Sequence, residues 1–384
     1  MEDLNPNRGG VYVHVPFCKH KCLYCDFYTG GHRIADWDRF ANCLINELKI
    51  RRDEVDFPPF SLYLGGGTPS LLPPKQLEKL IYAIQDILGV NHWEEFTIEA
   101  NPDDITHDLI HVWKNLGVNR VSLGVQSLNN NELKTIGRIH DAASALSSLS
   151  LLQSCFRNVS VDVIFGLPGQ TPLSYRETLQ GILNMKPTHL SAYSLMLEEG
   201  TALSLLARQN KINLPSEDEW LQMFDLTNEI TALNGYIRYE ISNYALPGLE
   251  SRHNSLYWAG SPYLGLGPGA HSFNGKEIRR ANPNDIKGYM NFFDHPSPSH
   301  KQFFIEENLS EEEMREEMIM TRLRTLKGLD LEMFGMAFGD THKEILLQKA
   351  SRFLSSGLMK EDSGFLSLTP RGFNIYNSIL SGII

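Results

Sequence analysis

The chain has 384 residues, enough for two or three domains of ordinary size and for a large buried core. Hydrophobic residues make up 42% and charged residues 21% of the sequence, which is typical of a folded globular protein and excludes a disordered or fibrous one. The formal net charge of −11, without any block of lysine or arginine, argues against nucleic-acid binding.

The sequence carries no sign of export or membrane insertion. No apolar run reaches the roughly 18 residues of a membrane span, and residues 1–10 lack the basic and apolar regions of a secretory signal. The five cysteines are sparse and odd in number, with three of them close together, which suits a metal site in a reducing compartment better than a disulfide framework. We therefore expect a cytoplasmic protein without a transmembrane segment.

Strand and helix patterns alternate through the first half of the chain. Strands are predicted at 11–17, 61–65, 95–100, 120–125, 160–165 and 189–195, and helices at 37–52, 74–88, 104–116, 142–153 and 172–185. This alternation indicates βαβ units and a parallel sheet. Because six units are too few for a closed eight-stranded barrel, we expect an open, partial (β/α)6 barrel with its chemistry at the C-terminal ends of the strands.

The alternation stops after about residue 196, and a separate C-terminal unit is predicted from about residue 300. Ser310 and Glu313 predict a capping box at the start of a helix that runs to about Arg324. A helix at 342–355, a hairpin at 358–368 with its turn at Ser363-Gly364, and a last helix from Pro370 complete an order that resembles a winged helix. The acidic balance favours a packing or lid role over DNA binding.

These patterns predict three domains. They are a partial barrel at 1–200, an extension of the barrel at 201–300 and an α+β winged-helix-like domain at 301–384. The extension contains the aromatic segment 252–273, which is rich in glycine and proline.

Three cysteines follow the first predicted strand directly. Cys18, Cys22 and Cys25 have the spacing C-x-x-x-C-x-x-C. Iron–sulfur clusters are held by thiolates, usually four, so three thiolates leave one iron with an open coordination position. An open position is where a substrate or cofactor binds a metal.

A structural zinc site is the alternative interpretation of these thiols. His14, His20 or Cys43 would then complete the ligand set, although structural zinc sites usually have paired knuckles. Cys43 and Cys155 themselves lie in helical patterns, and we expect both to be core residues.

The cysteine motif resembles that of the radical S-adenosylmethionine (SAM) enzymes, whose fold is a partial (β/α)6 barrel. The segments 12–18 (YVHVPFC) and 65–69 (GGGTP) are similar to the coproporphyrinogen dehydrogenase, or HemN, branch. The resemblance implies a 4Fe-4S cluster on the three cysteines, with SAM chelating the fourth iron. It also implies SAM contacts at Tyr12, Tyr24, Gly66, Gly67, Thr68, Glu99, Gln126, Arg138 and Asp162.

Each of these residues also has an ordinary structural interpretation when taken singly. Glu99 or Asp162 could be a carboxylate satisfied by its neighbours, and Arg138 a charge on a surface helix. The glycines have a physical reason to lie at a ligand site, since a residue without Cβ lets the backbone approach the ligand closely.

Two features separate the chain from HemN-type dehydrogenases and are similar to the HemW-type haem chaperones. Phe27 occupies the position of an additional cysteine in HemN-type proteins. The segment 253–258 reads H-N-x-x-Y-W, a motif implicated in haem binding in the HemW type. His253 could be an axial haem ligand and Tyr257 and Trp258 could pack on the porphyrin, whereas the alternative is an ordinary core histidine. His271 is a second, weaker ligand candidate.

The resemblance implies a haem chaperone that carries a 4Fe-4S cluster and SAM, binds haem as cargo and transfers it to acceptor proteins, with respiratory proteins as candidates. One alternative is an enzyme that decarboxylates coproporphyrinogen III oxidatively by means of a 5′-deoxyadenosyl radical. Another is a radical SAM enzyme with an unrelated substrate. Motifs for nucleotide hydrolysis, zinc proteolysis and serine hydrolysis are missing from the sequence.

Overall fold

The computed structural model describes residues 8–31, 36–294 and 303–384. The predicted domain boundary at residue 301 lies outside these residues, so the division into three domains stays a prediction. Two large apolar cores and a small cluster of Ile136, Ile164 and Leu167 are present in the described part of the chain. One extends from Val11 to Phe304 and the other from Ile319 to Ile383.

The first half of the chain forms the predicted partial barrel. The strands of this part of the chain are β1 (Gly9–Val15), β2 (Phe17–Cys18), β3 (Gly30–Gly31), β4 (Pro59–Gly66), β5 (Glu95–Ala100), β6 (Arg120–Gln126), β7 (Asn158–Phe165) and β8 (His189–Ser194). Six of them pair in parallel in the order β1-β4-β5-β6-β7-β8, while β2 and β3 pair only with each other. The helices are α1 (Trp37–Ile50), α2 (Pro74–Leu88), α3 (His107–Asn115), α4 (Asn130–Thr135), α5 (Ala142–Cys155) and α6 (Pro172–Asn184). Each of the six strands predicted from the sequence is confirmed.

Local sequence signals explain where these helices begin. The side chains of Asp141 and Thr171 form capping boxes at α5 and α6, and Pro172 occupies the first turn of α6. The helix predicted at 104–116 starts later, at His107. Pro102–Asp104 forms a separate 3-10 turn, and Thr106 caps the helix that follows it.

Residues 202–308 extend the sheet at both edges. The elements are α7 (Ala202–Arg208), α8 (Glu217–Leu233), β9 (Ile237–Arg238), β10 (Asn243–Ala245), α9 (Arg252–Trp258), β11 (Tyr263–Leu266), β12 (His271–Phe273), β13 (Ile278–Ala281), α10 (Ile286–Asp294) and β14 (Ile305–Asn308). Strand β10 pairs antiparallel with β8, and β9 pairs with β10. At the opposite edge β11 pairs in parallel with β1, and β12 to β14 continue antiparallel, which gives a 12-stranded sheet. The sequence did not predict these short strands.

The C-terminal unit has the predicted winged-helix order, with an additional short strand and helix after its first helix and with the last predicted helix divided into two. Its elements are α11 (Glu311–Leu323), β15 (Leu329–Asp330), α12 (Leu331–Phe338), α13 (Asp340–Ser355), β16 (Met359–Asp362), β17 (Phe365–Leu368), α14 (Pro370–Phe373) and α15 (Tyr376–Ile383). The capping box of Ser310 and Glu313 and the hairpin turn at Ser363-Gly364 are confirmed. Helix α12 was not predicted. In the described ranges of the chain, every helix is too short or too polar to cross a membrane.

Candidate cofactor site

A cavity of about 500 Å³ opens where the C-terminal ends of the barrel strands converge, as expected for this architecture. It brings together most of the residues that the sequence singled out. The predicted residues that line it are Cys18, Cys22, Tyr24, Cys25, Gly66, Gly67, Thr68, Glu99, Gln126, Arg138 and Asp162. Tyr12 is not in this lining; its hydroxyl is 3.0 Å from His14 Nδ1, and its ring packs against that of Tyr63.

The loop that carries the three cysteines is tied to the barrel by backbone hydrogen bonds. Leu23 N donates to the carbonyl of Ile136 at 3.0 Å, and Leu203 N donates to the carbonyl of Leu23 at 2.8 Å. Burial raises the pKa of Cys18 to about 11 and also raises that of Cys25. The free thiols of Cys18 and Cys25 are therefore protonated near neutral pH, and a metal centre that binds them displaces protons.

The thiols fit a cluster better than a single metal ion. Within the described ranges, no group of three or more His, Cys, Asp or Glu side chains could hold one metal ion. Cys43 is buried in α1, where its thiol lies 3.4 Å from the carbonyl of Met290. The ring of His14 is hydrogen-bonded to Tyr12 and to the carbonyl of Tyr28. These two candidate zinc ligands are therefore engaged elsewhere. The third candidate, His20, lines the cavity beside the cysteines. An iron–sulfur cluster needs separated thiolates that line one cavity, as these three thiols do.

The glycines at the C-terminal end of β4 have a packing role that the sequence did not reveal. Gly66 has a φ of 108°, and a Cβ there would lie 2.5 Å from ring atoms of His14. A Cβ at Gly67 would lie 2.8 Å from backbone atoms of Phe17 and Val15. The glycines thus allow the end of β4 to pack against the end of β1, directly before the cysteine loop. A side chain at residue 66 would disturb this contact as well as any ligand.

Two half-buried carboxylates face the cavity from β5 and β7. Glu99 accepts hydrogen bonds from the Tyr63 hydroxyl at 2.7 Å and from Gly66 N at 3.1 Å. Asp162 accepts one from the Ser122 hydroxyl at 3.2 Å. Burial raises the pKa of Glu99 to about 7 and raises that of Asp162 above its ordinary value. Carboxylates that are costly to ionise in this environment favour a cationic ligand.

Arg138 and Gln126 complete the polar lining. Arg138 lies in the loop after α4, so the surface-helix interpretation is wrong. Its guanidinium donates to Asn101 Oδ1 at 2.6 Å and to the carbonyl of Gly124. Gln126 has a φ of 68° where the pairing of β6 with β7 is irregular. A residue other than glycine in this region of φ is strained, and such strain clusters at functional sites.

The H-N-x-x-Y-W segment forms α9 at the opposite end of the barrel. The His253 side chain is buried, with 1% of its surface exposed. Its Nδ1 is hydrogen-bonded to the Ser61 hydroxyl at 2.8 Å and its Nε2 to the Tyr257 hydroxyl at 2.9 Å. Burial, together with the nearby Arg120, lowers the pKa of His253 to about 3, so the imidazole is neutral. Binding of haem iron to either nitrogen requires one of these hydrogen bonds to break.

The barrel interior contains buried charges that the sequence analysis missed. Glu95, at the start of β5, accepts hydrogen bonds from Arg252 N at 2.8 Å and His253 N at 2.9 Å. Arg120, at the start of β6, is 1% exposed, and its Nε and Nη1 have no hydrogen-bond partner in the described structure. The sequence signal that could have found them is a charged residue as the first residue of the two predicted strands 95–100 and 120–125. His271, by contrast, is exposed on β12.

Comparison with known proteins gives the family. The model of the radical SAM superfamily matches residues 12–182, and that of the HemN C-terminal domain matches residues 309–375. A protein of Lactococcus lactis named heme chaperone HemW is 36% identical over 372 residues, which cover 97% of this chain and 96% of that protein. The chain belongs to the HemW family of radical SAM proteins. A Bacillus subtilis protein of the same name is 31% identical over 377 residues, 97% of this chain and 98% of that protein.

A solved structure supports the fold of this HemW family member. Coproporphyrinogen III oxidase (HemN) from Escherichia coli has a TM-score of 0.82 and 23% identity, covering 98% of this chain and 90% of that one. The predicted fold class is thereby confirmed. Membership of the radical SAM superfamily implies a 4Fe-4S cluster and SAM as cofactors. The three thiols, the open cavity and the carboxylates beside it fit these two groups.

Proposed function

We propose that this HemW family member is a haem chaperone in the cytoplasm that binds haem and transfers it to an acceptor protein, with respiratory proteins as candidate acceptors. The observation that carries this proposal is the match over nearly the full chain to proteins named heme chaperone HemW. Phe27 supports it. Its ring lines the cavity and is 66% exposed, at the position of the additional cysteine in HemN-type dehydrogenases.

In this proposal Cys18, Cys22 and Cys25 hold the 4Fe-4S cluster in the cavity. When bound, the cluster supplies a redox-active iron with one position open to SAM. The carboxylates of Glu99 and Asp162 attract the positive charge of SAM. The remaining contacts would come from Tyr24, Gly66, Gly67, Thr68, Gln126 and Arg138. Tyr12, predicted as a further contact, lies outside the lining and would act only through His14, to which its hydroxyl is hydrogen-bonded.

The haem site in this proposal is α9, with His253 as the iron ligand and Tyr257 and Trp258 packed against the porphyrin. A neutral imidazole is the form that coordinates iron, and burial keeps His253 neutral. Because His253 is buried and its Nδ1 is hydrogen-bonded to the Ser61 hydroxyl of β4, the ligand becomes available only when α9 moves away from the barrel.

The test is anaerobic incubation of the reconstituted protein with haem and, separately, with coproporphyrinogen III, SAM and a reductant. We expect a Soret band with haem, transfer of that haem to an apo-acceptor, and no conversion of coproporphyrinogen III to protoporphyrinogen IX. His253→Ala should weaken the Soret band. Turnover of coproporphyrinogen III by a protein whose haem binding is indifferent to His253 would establish the oxidative decarboxylase instead.

His189 provides a matched control for His253. It is also fully buried, with Nδ1 2.7 Å from the Ser160 hydroxyl and Nε2 2.8 Å from the Tyr239 hydroxyl. His189→Ala therefore removes a similar buried Ser-His-Tyr arrangement outside the motif. Equal loss of haem binding in both variants would assign the effect to folding and contradict ligation by His253.

A further inference from the structure

Helix α9 is short, with 7 residues, and other parts of the chain hold it at both ends. At its N-terminal end, the buried carboxylate of Glu95 accepts hydrogen bonds from the backbone of Arg252 and His253 and from the Ser251 hydroxyl, the last at 3.3 Å. An isolated helix of this length is unstable in water, so its position depends on such tertiary contacts.

The contacts at the other end of α9 come from the C-terminal unit. Arg322, in the last turn of α11, donates to the carbonyl of Ala259 at 2.6 Å. The guanidinium of Arg324, directly after α11, lies 4.4 Å from the centre of the Trp258 ring. Arg324 also donates to Glu240 at 2.7 Å, and this carboxylate is fully buried. Two arginines of one segment thus contact the end of the haem motif.

These contacts stabilise a conformation in which His253 cannot reach haem iron. The imidazole is buried, its Nδ1 is hydrogen-bonded to Ser61, and its Nε2 is hydrogen-bonded to Tyr257. A ligand that needs a different conformation binds with an affinity reduced by the fraction of molecules in that conformation. Every contact that holds α9 against the barrel therefore opposes haem binding.

We infer that Arg322 and Arg324 form a latch, through which the C-terminal unit keeps the haem motif closed until haem binds. This inference rests on the proposed function, because it concerns the same motif. The latch combines a cation–π contact, a hydrogen bond to a backbone carbonyl and a hydrogen bond between charged groups. Loss of one arginine should raise the open fraction, and with it the apparent haem affinity, about tenfold.

The experiment compares Arg322→Met and Arg324→Ala with the wild type. Haem affinity is measured by titration of the Soret band, and opening of α9 is measured in the haem-free protein by hydrogen exchange of the amides at 252–259. Both variants should show faster exchange in this segment and about tenfold tighter haem binding. Arg322→Met leaves no buried carboxylate without its partner, so it keeps the test valid if Arg324→Ala fails to fold.

Arg315→Ala is the matched control. Arg315 lies on the same helix but pairs with Glu312, 3.7 Å away, so its loss should change neither exchange at α9 nor haem affinity. A folded Arg322→Met protein with unchanged exchange in α9, or with faster exchange but no gain in haem affinity, would overturn the latch. A wild-type protein that binds no haem would instead remove the proposed function itself.

Discussion

Among single residues, Glu99 has the ionisation that bears most directly on cofactor binding. Its pKa of about 7 means that the carboxylate is largely neutral below that pH and ionised above it. Because SAM is cationic, its affinity should increase about tenfold between about pH 6 and about pH 8 and then level off. Equilibrium dialysis at a series of pH values measures this. Glu99→Gln should bind SAM more weakly and with a flatter profile, and an unchanged profile would contradict the assignment.

The cysteines give a second prediction for single residues. Replacement of Cys18, Cys22 or Cys25 by alanine should abolish the visible absorbance of a reconstituted cluster, because each thiolate holds a separate iron. Cys43→Ala and Cys155→Ala should retain the absorbance, since neither side chain lines the cavity. Iron analysis accompanies the spectra. Stoichiometric zinc without iron after anaerobic reconstitution would refute the cluster.

The sequence predicted residues whose role depends on a local motif and failed where tertiary contacts decide. The cysteine spacing and the carboxylates at strand ends led directly to the cavity. The clash of a Cβ at Gly66 with His14, the loop position of Arg138 and the occupied nitrogens of His253 depend on elements distant in the chain. No pattern within one segment contains that information.

Among the elements, α9 is the one most dependent on a single side chain. Glu95→Ala removes the acceptor for two backbone amides and one hydroxyl and also a charge near the buried guanidinium of Arg120. We expect a loss of about 3 kcal/mol in the free energy of unfolding, measured by denaturant titration.

The adjacent residue Glu94 is the control for this prediction. It pairs with Arg8 and Arg252 at the surface, with 38% of its side chain exposed. Glu94→Ala should cost under about 1 kcal/mol, because solvent screens exposed ion pairs. Equal losses in the two variants would mean that Glu95 does not hold α9.

Most long elements were predicted and the short ones were not. Helix α8 is the exception, because it has 17 residues and a capping box at Ser216 and was still missed. The barrel strands and helices have periodic patterns and capping residues of their own, so their sequences suffice. Strands β9 to β14 contain between 2 and 4 residues, which is too few to show an alternation of apolar and polar residues in the sequence. They form because the edge strands of the barrel offer hydrogen-bond partners. Helix α12 lies between β15 and α13 and was missed because its 8 residues make only about two helical turns, too few for a clear helical pattern.

For the whole molecule, the charge distribution predicts that the C-terminal unit does not bind DNA. Its first helix begins with Glu311, Glu312 and Glu313, and the chain carries a formal net charge of −11. A phosphate backbone needs a basic surface. Fluorescence anisotropy with labelled duplex DNA should show no binding at physiological salt. Micromolar binding that weakens steeply with added salt would contradict this prediction.

The two outermost strands of the 12-stranded sheet bear on how the protein meets other chains. An open edge presents unpaired amides and carbonyls that can recruit a strand from another molecule. Strand β14 carries Glu306 and Glu307, both exposed, and β9 has only 2 residues. Acidic and very short edges disfavour such recruitment. Contact with another chain would therefore use side-chain surfaces rather than a continued sheet, which also protects the protein against edge-to-edge aggregation.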